Sequence, residues 1–391
     1  MNTTPIQLLE SLANDAAVRE DPYPIYRIAQ KMGEVLSLGE GFYIATSYRA
    51  TDALLRSPKF LKNPPGASSR RRSVFNPDYP SSMLFLDPPD HTRLRRSVSR
   101  FFLPSAISRI SGSISDTATD LIAGLVAQGG GDVVELVSVK LPIAVISSML
   151  GVSAQEGEAL RDSVAVVARS LDLGTQFNQA GSSELAQAGT RLLAYFSDLI
   201  ANDSQGATML TQLQEGDDPL TAPEAAVMAV LLFMAGFETT SNLISSMVFT
   251  LCEDDEVAKM AMAEEVDLGA MVEEFLRLES PVQLDGRIAG TDAELGGILI
   301  PAGSFVMTLI GAANRDGEVF ADPDVFSPSR SQAPILSFGA GIHHCLGSNL
   351  ARTETKALLA ALIAAQMPKL VAAKRKPSLT LRGFESLVVE F

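Results

Sequence analysis

The ten residues Phe338–Gly347, FGAGIHHCLG, hold most of the chain's chemically distinctive side chains. A helical pattern begins just after Cys345, and the positive end of a helix favours thiolate over thiol there. Gly339 and Gly341 permit tight turns closed to other residues. Gly347 has no side chain, so something flat and bulky can approach the backbone. Two of the three histidines, His343 and His344, also lie in this loop, and the third is His91. The residues read as a thiolate offered to a metal, with haem iron the leading candidate. The plain alternative is a small buried cysteine beside a turn.

A second group lies in the middle of a long apolar helical pattern, as AGFETTSN at 235–242. Glu238, Thr239 and Thr240 inside such a helix are costly unless satisfied or functional. Ala235 and Gly236, one turn earlier, would let a flat group lie against the helix. Leu231, Ala235 and Thr239 recur at i, i+4 and i+8 and so form one stripe, flanked by Met234 and Glu238. For Thr239 the ordinary alternative is a hydrogen bond to the carbonyl of the preceding turn.

A third group follows Asp87-Pro88-Pro89-Asp90, in a helix bearing His91, Arg93, Arg95, Arg96 and Arg100. His91 and Arg95 share one face, and Arg96 and Arg100 a neighbouring one. A solvated basic helix is the default. In a chain of net charge −15, a second reading is an anion held on one face and an acidic partner on another. Glu274 and Arg277, three apart near the end of a helix, can pair, as an ordinary surface pair or otherwise.

The elements that must position these residues are mostly helical. Residues 5–32 read as helix broken around Asp21–Pro24. Glu34–Leu38 and Phe42–Thr46 read as two short strands, and Tyr48–Arg56 as helix. Residues 57–82 form a long Pro/Ser/Arg-rich segment, a binding loop anchored by Phe75, Met83, Leu84 and Phe85. Ile107–Ala127, Leu141–Leu150, Ala154–Leu171 and Glu184–Ala201 are helices. Their connections at 172–183 and 202–217 are polar, and the first is a lid or an ordinary surface loop. Thr221-Ala-Pro-Glu224 resembles a capping box opening a helix to about Leu251, roughly 45 Å long. Met260–Leu278 reads as one helix, Val282–Ala289 and Ala293–Ile310 as short strands, Asn349–Gln366 as helix, and Leu379–Leu381 with Leu387–Phe391 as closing strands. This is a mainly α fold with small β-sheets (α+β), and no linker divides the 391 residues into separate domains.

The composition, 46% hydrophobic and 20% charged, belongs to a globular protein with a large core. Its acidity argues against general nucleic-acid binding. Two cysteines provide no disulfide framework and suit a reducing cytoplasm. The N-terminal residues lack the basic and apolar regions of a signal peptide. The apolar run Ala225–Phe237 is too short to span a bilayer. A soluble, cytoplasmic protein is expected.

Together these segments resemble the cytochrome P-450 family, soluble bacterial type, over nearly the whole chain. The cysteine loop matches its haem-binding signature at Phe338, Gly339, Gly341, His343, Cys345 and Gly347. AGFETT matches the oxygen-side motif of the long central helix. Glu274 and Arg277 match its Glu-x-x-Arg pair, with Arg330 in FSPSR as third member of a buried ionic triad. DPPDHTRLRR matches the helix whose His and Arg hold haem propionates. Phe237, Gly317 and Ile335 depart from the usual residues, and Ile335 removes one expected propionate anchor.

The resemblance implies haem b, held between the central helix and the helix of the cysteine loop, with Cys345 as axial thiolate. Glu238 and Thr239 would relay protons, and His91, Arg95, Arg287 and His343 would hold the haem carboxylates. Glu274, Arg277 and Arg330 would be structural. The expected substrate pocket draws on Phe75, Leu84, Phe85, Leu231, Met234, Ala235, Phe237, Val282, Gln283, Leu284 and Leu387. A ferredoxin with its NAD(P)H-dependent reductase would supply electrons, docking on Arg93, Arg96, Arg100 and Arg352. The implied activity is O2-dependent monooxygenation of a small hydrophobic molecule such as a secondary metabolite, lipid or xenobiotic. Oxidative coupling by the same haem, a non-catalytic haem sensor, and a zinc site at His343-His344-Cys345 are the alternatives.

Overall fold

A computed structural model describes residues 4–64, 79–170, 172, 182–202, 208–216, 218–330 and 333–391. Phe75, most of the first polar connection and part of the second lie outside them. The chain divides into two compact units, Met1–Ala67 with Asn242–Ser348 and Gln366–Phe391, and Ser68–Ser241 with Asn349–Ala365.

The first unit carries a five-stranded sheet, built from β1 (Val35–Gly39), β2 (Phe42–Ala45), β3 (Phe60–Leu61), β4 (Leu284–Ala289) and, after the β5–β6 hairpin (Ala293–Leu295, Ile298–Ile300), β7 (Phe305–Leu309). The order is β1-β2-β7-β4-β3, with only the β2–β7 pair parallel. The Tyr48–Arg56 helix, opened by Ser47 accepting from Ala50 N, packs Leu54 and Leu55 into a core with Ala45, Phe60, Val306 and Leu336. Gly286 in β4 is required by packing: a Cβ there would lie 2.4 Å from the Phe305 ring.

Two expectations on this unit are corrected. The expected single helix Met260–Leu278 is two, Asp255–Ala261 and Leu268–Leu278. Asp267 restarts the helix by accepting from Gly269 N and Ala270 N, which is the N-cap role of an aspartate. The closing hairpin pairs β8 (Lys369–Arg375) with β9 (Phe384–Glu390), while Leu381 makes only an isolated bridge to Val282. β8 has no alternating apolar pattern and is largely exposed, so periodicity does not reveal it.

The second unit is helical, with Asp90–Ser99, Pro104–Ala127, Lys140–Leu150, Ala154–Arg169 and Ser182–Asn202 as its longer early members. Gly151, at φ +78°, ends one helix, and Ser153 and Glu156 form a capping box that starts the next. Those two helices meet at Gly157, where a Cβ would lie 2.1 Å from Ser147 Oγ. The central helix Ala222–Glu253 begins in this unit. It is the one single helix among the described residues long and apolar enough to cross a membrane, and 83% of its most apolar stretch is buried.

Candidate haem site

The cysteine loop is closed by its own backbone. Cys345 N donates to Phe338 O at 2.8 Å, Gly339 N to Leu336 O at 2.8 Å and His344 N to Gly341 O at 3.1 Å. Gly339 and Gly341 take φ of +66° and +68°. At Gly341 a Cβ would also lie 2.4 Å from Leu55 O, so the end of the Tyr48–Arg56 helix demands glycine there. At Gly347 a Cβ would meet nothing within 4 Å, which leaves open space beside the backbone. Cys345 is exposed, against the plain expectation of a buried cysteine. The other cysteine differs: burial, then the charge of Glu253, pushes the Cys252 thiol up to about 11, which disfavours its thiolate. His343 and Phe338 are half-buried beside this loop, and the Phe338 ring centre lies 6.4 Å from that of His344.

On the central helix the capping box is present: Thr221 N donates to Glu224 Oε2 at 2.9 Å, and Glu224 N to Thr221 Oγ1 at 3.4 Å. Residues Ala225–Met234 are buried without interruption; then Ala235 is exposed and Gly236, Glu238 and Thr239 are half-buried. The apolar lining thus opens at one place, on the stripe that carries the carboxylate and the hydroxyl. Thr239 Oγ1 donates to Ala235 O at 3.1 Å, so the ordinary expectation for this hydroxyl is realised. Its lone pairs, and not its proton, are then what it offers outward. Two members of this group have other duties. A Cβ on Gly236 would lie 3.0 Å from Ile146, so its smallness admits the Lys140–Leu150 helix rather than a flat ligand. Phe237, only 1% exposed, stacks in series with Phe233 and Phe196 at centroid distances of 6.0 Å. Two residues on from Ala235 is about 200° around the helix, which places Phe237 in the core and removes it from the expected pocket.

On the Asp90–Ser99 helix, His91 is buried and Arg95 half-buried. Burial, then the Arg95 charge, pushes the His91 pKa below its ordinary value, which favours a neutral ring with one donor and one acceptor. The expected docking arginines divide. Arg96 is exposed and Arg352 half-buried. Arg93 is paired with Glu224, the capping carboxylate of the central helix, so it is not an uncompensated charge on a docking face. Arg100 donates to Gln212 O at 3.0 Å and lies over the Phe101 ring.

In the first unit, Arg287 Nη1 donates to Asp285 Oδ2 at 2.6 Å and to Gly286 O at 2.9 Å. Glu274, Arg277 and Arg330 come together. Arg277 grips Glu274 through Nε at 2.8 Å and Nη2 at 2.7 Å, and Arg330 Nε donates to Glu274 Oε1 at 3.0 Å. Burial alone would raise the Glu274 pKa; its hydrogen bonds to Arg277 lead the interactions that outweigh burial and hold it below the ordinary range.

The expected pocket residues scatter. Leu84 and Phe85 are half-buried on a short turn capped by Ser82, and Val282 is half-buried. Leu231, Met234, Leu284 and Leu387 are buried. Gln283 is not a polar anchor for substrate. It is 2% exposed, its Nε2 donates to Ser280 O at 2.8 Å and Tyr23 OH at 3.5 Å, and it fits beneath Gly311, where a Cβ would strike it at 2.0 Å.

Sequence reading missed the half-buried Glu279 cluster. Glu279 lies 2.9 Å from Arg382, 3.2 Å from Arg375 and 3.6 Å from Arg315. These residues stand far apart in the chain, and no local spacing signals the contact. A lone carboxyl, Glu354, is buried in the Ser348–Ala365 helix, and burial alone raises its pKa well above the ordinary value.

The cysteine loop fits haem b: an exposed cysteine in a loop closed by its own backbone bonds, with open space at Gly347. Fold and site together define a haem-thiolate protein of mainly helical architecture. The Cytochrome P450 family model matches residues 196–378. The biotin biosynthesis cytochrome P450 of Bacillus subtilis (strain 168) is 35% identical over 369 residues, 93% of this chain and 88% of that protein. The ligand-free crystal structure of Mycobacterium smegmatis CYP164A2 matches with a TM-score of 0.87 at 33% identity, covering 98% and 99% of the two chains. The structure of P450BioI in complex with hexadec-9Z-enoic acid ligated acyl carrier protein matches with a TM-score of 0.88 at 32% identity, covering 96% and 100%.

This chain belongs to the cytochrome P450 family. It is a cytochrome P450 monooxygenase: an O2-dependent oxidoreductase that carries haem b and draws electrons from an external donor.

Proposed function

We propose that this enzyme inserts one oxygen atom into a long, largely apolar molecule of the fatty-acyl class, and that Cys345 would supply the thiolate that holds its haem. Haem b, when bound, supplies the oxidising centre, and an anionic sulfur ligand favours O–O cleavage there. Cys345 provides that charge from a loop whose backbone bonds fix the sulfur. His91, Arg95, Arg287 and His343 hold the haem carboxylates by charge-assisted or neutral hydrogen bonds. Glu238 carries protons inward through water. Thr239, with its own proton committed to Ala235 O, accepts a hydrogen bond and orients the group that receives the proton. Glu274, Arg277 and Arg330 build the frame and take no part in chemistry.

The observation that carries the reading is the single opening in the buried face of the central helix, at Ala235, Glu238 and Thr239. The fatty-acyl class is supported by the neighbour solved with an acyl-loaded carrier protein. A ferredoxin delivers the electrons, with the exposed Arg96 on its docking face.

The test is a binding screen of free and carrier-bound fatty acyl chains, read by the haem spin-state shift, followed by product mass. A spin shift and a gain of one oxygen support the reading. No shift with any acyl chain overturns the substrate class, and loss of two hydrogens overturns the reaction.

A further inference from the structure

Lys62 has no counterpart in the site described so far, yet it is 6% exposed, and burying an ammonium group is costly unless it is paired. It follows directly on β3, whose register sets Phe60 against Ala289 and Leu61 against Ile288. Continuing that register brings Lys62 to Arg287. Two glycines fix the approach: a Cβ on Gly290 would lie 2.7 Å from Leu61, and one on Gly286 would strike Phe305.

Both cations share one carboxylate. Lys62 Nζ lies 2.5 Å from Asp285 Oδ1, and Arg287 Nη1 lies 2.6 Å from Asp285 Oδ2. Oδ1 also accepts from Gly286 N at 2.7 Å. Burial alone would raise the Asp285 pKa, but the Arg287 charge and then the Lys62 charge and hydrogen bonds hold it well below the ordinary carboxylate range. Each cation takes a different oxygen of Asp285. Without Lys62, the fork of Arg287 can close on both oxygens, the bidentate geometry that arginine prefers with a carboxylate. Its donors would then be turned away from any other anion.

We propose that Lys62 is a positioning residue for haem binding: by neutralising half of Asp285 it keeps the Arg287 guanidinium available to a haem carboxylate. The inference rests on the haem-thiolate reading of the site. Lys62 acts through Asp285 and Arg287.

The test measures haem transfer from the holoenzyme to excess apomyoglobin, for wild type, Lys62→Met, Lys62→Arg and the double variant Lys62→Met with Asp285→Asn. Lys62→Met should lose haem about tenfold faster, the scale of one charge-assisted hydrogen bond. Lys62→Arg should lose it at the wild-type rate. The double variant should return to within about threefold of wild type, because without the acid Arg287 is no longer sequestered. A wild-type rate for Lys62→Met overturns the proposal, as does a fast Lys62→Arg. A double variant as fast as Lys62→Met also overturns it, since a direct contact between Lys62 and haem would leave it fast. If Lys62→Met fails to take up haem, the arginine and double variants still decide. A wild-type protein without a thiolate-type carbonyl spectrum would instead refute the haem-thiolate reading on which the inference stands.

Discussion

Replacing Arg277 with lysine keeps the charge and removes the fork. Arg277 is fully buried and makes five donor contacts: to Glu274 Oε2 and Oε1 at 2.8 and 2.7 Å, Asn314 O at 3.0 Å, Pro323 O at 2.6 Å and Val325 O at 3.1 Å. A lysine ammonium has three N–H bonds on one nitrogen, so at least two of these five contacts are lost, although Glu274 Oε1 and Val325 O keep Arg330 as a donor. At about 1.5–3 kcal/mol for each lost hydrogen bond to a charged group, Arg277→Lys should destabilise the protein by roughly 3–6 kcal/mol. That is a large share of the roughly 5–15 kcal/mol that separates folded from unfolded states. The assay is urea unfolding of holoenzyme, followed in parallel by circular dichroism and by the haem band. The midpoint should fall in both, while the variant that remains folded keeps the wild-type thiolate spectrum. A change below about 0.5 kcal/mol, the size of an ordinary surface substitution, would refute the structural role. So would a normal midpoint with a lost thiolate spectrum.

Three further outcomes follow from the geometry. Burial would raise the Glu279 carboxyl, but Arg382, Arg375 and Arg315 hold it down at about 2, against 4.5 ordinarily. With the folded pKa depressed, its contribution is complete above about pH 4.5 and is lost as pH falls toward about 2, on the order of 3 kcal/mol in all. Urea midpoints measured from pH 6 down to pH 3 should therefore fall less steeply in Glu279→Gln than in wild type. Phe237→Ala should cost about 3–5 kcal/mol of stability by opening a cavity against Phe233 and Phe196, with substrate affinity little changed; calorimetry and spin-state titration check the two parts. Thr239→Val should slow oxygen-dependent product formation about a hundredfold while leaving the resting haem spectrum intact, measured by product yield per O2 consumed.

Much of the architecture was legible because it is written in local patterns. Tyr48–Arg56 is marked by its apolar spacing and its Ser47 cap, and the start of the central helix by Thr221 and Glu224. The cysteine loop was legible from its glycines and its place before a helix. What was hidden depends on contacts distant in sequence. Gly236 looks like room for a ligand, yet Ile146 occupies the space beside it. Phe237 lies within the oxygen-side motif, but its direction is set by Phe233 and Phe196. Gln283 reads as a pocket residue because it follows the Glu-x-x-Arg helix closely; in the folded chain Tyr23 and Ser280 take its donors. Lys62 gives no signal, since only strand register brings it opposite Arg287 and within reach of Asp285.

The central claim is that Cys345, and not Cys252, is the thiolate ligand of a haem. The direct measurement is the absorption spectrum of the reduced protein with carbon monoxide, for wild type, Cys252→Ala and Cys345→Ala. The long-wavelength band of a thiolate-ligated carbonyl haem should be present in wild type and Cys252→Ala and absent in Cys345→Ala. Its absence from wild type, or its survival in Cys345→Ala, would contradict the assignment.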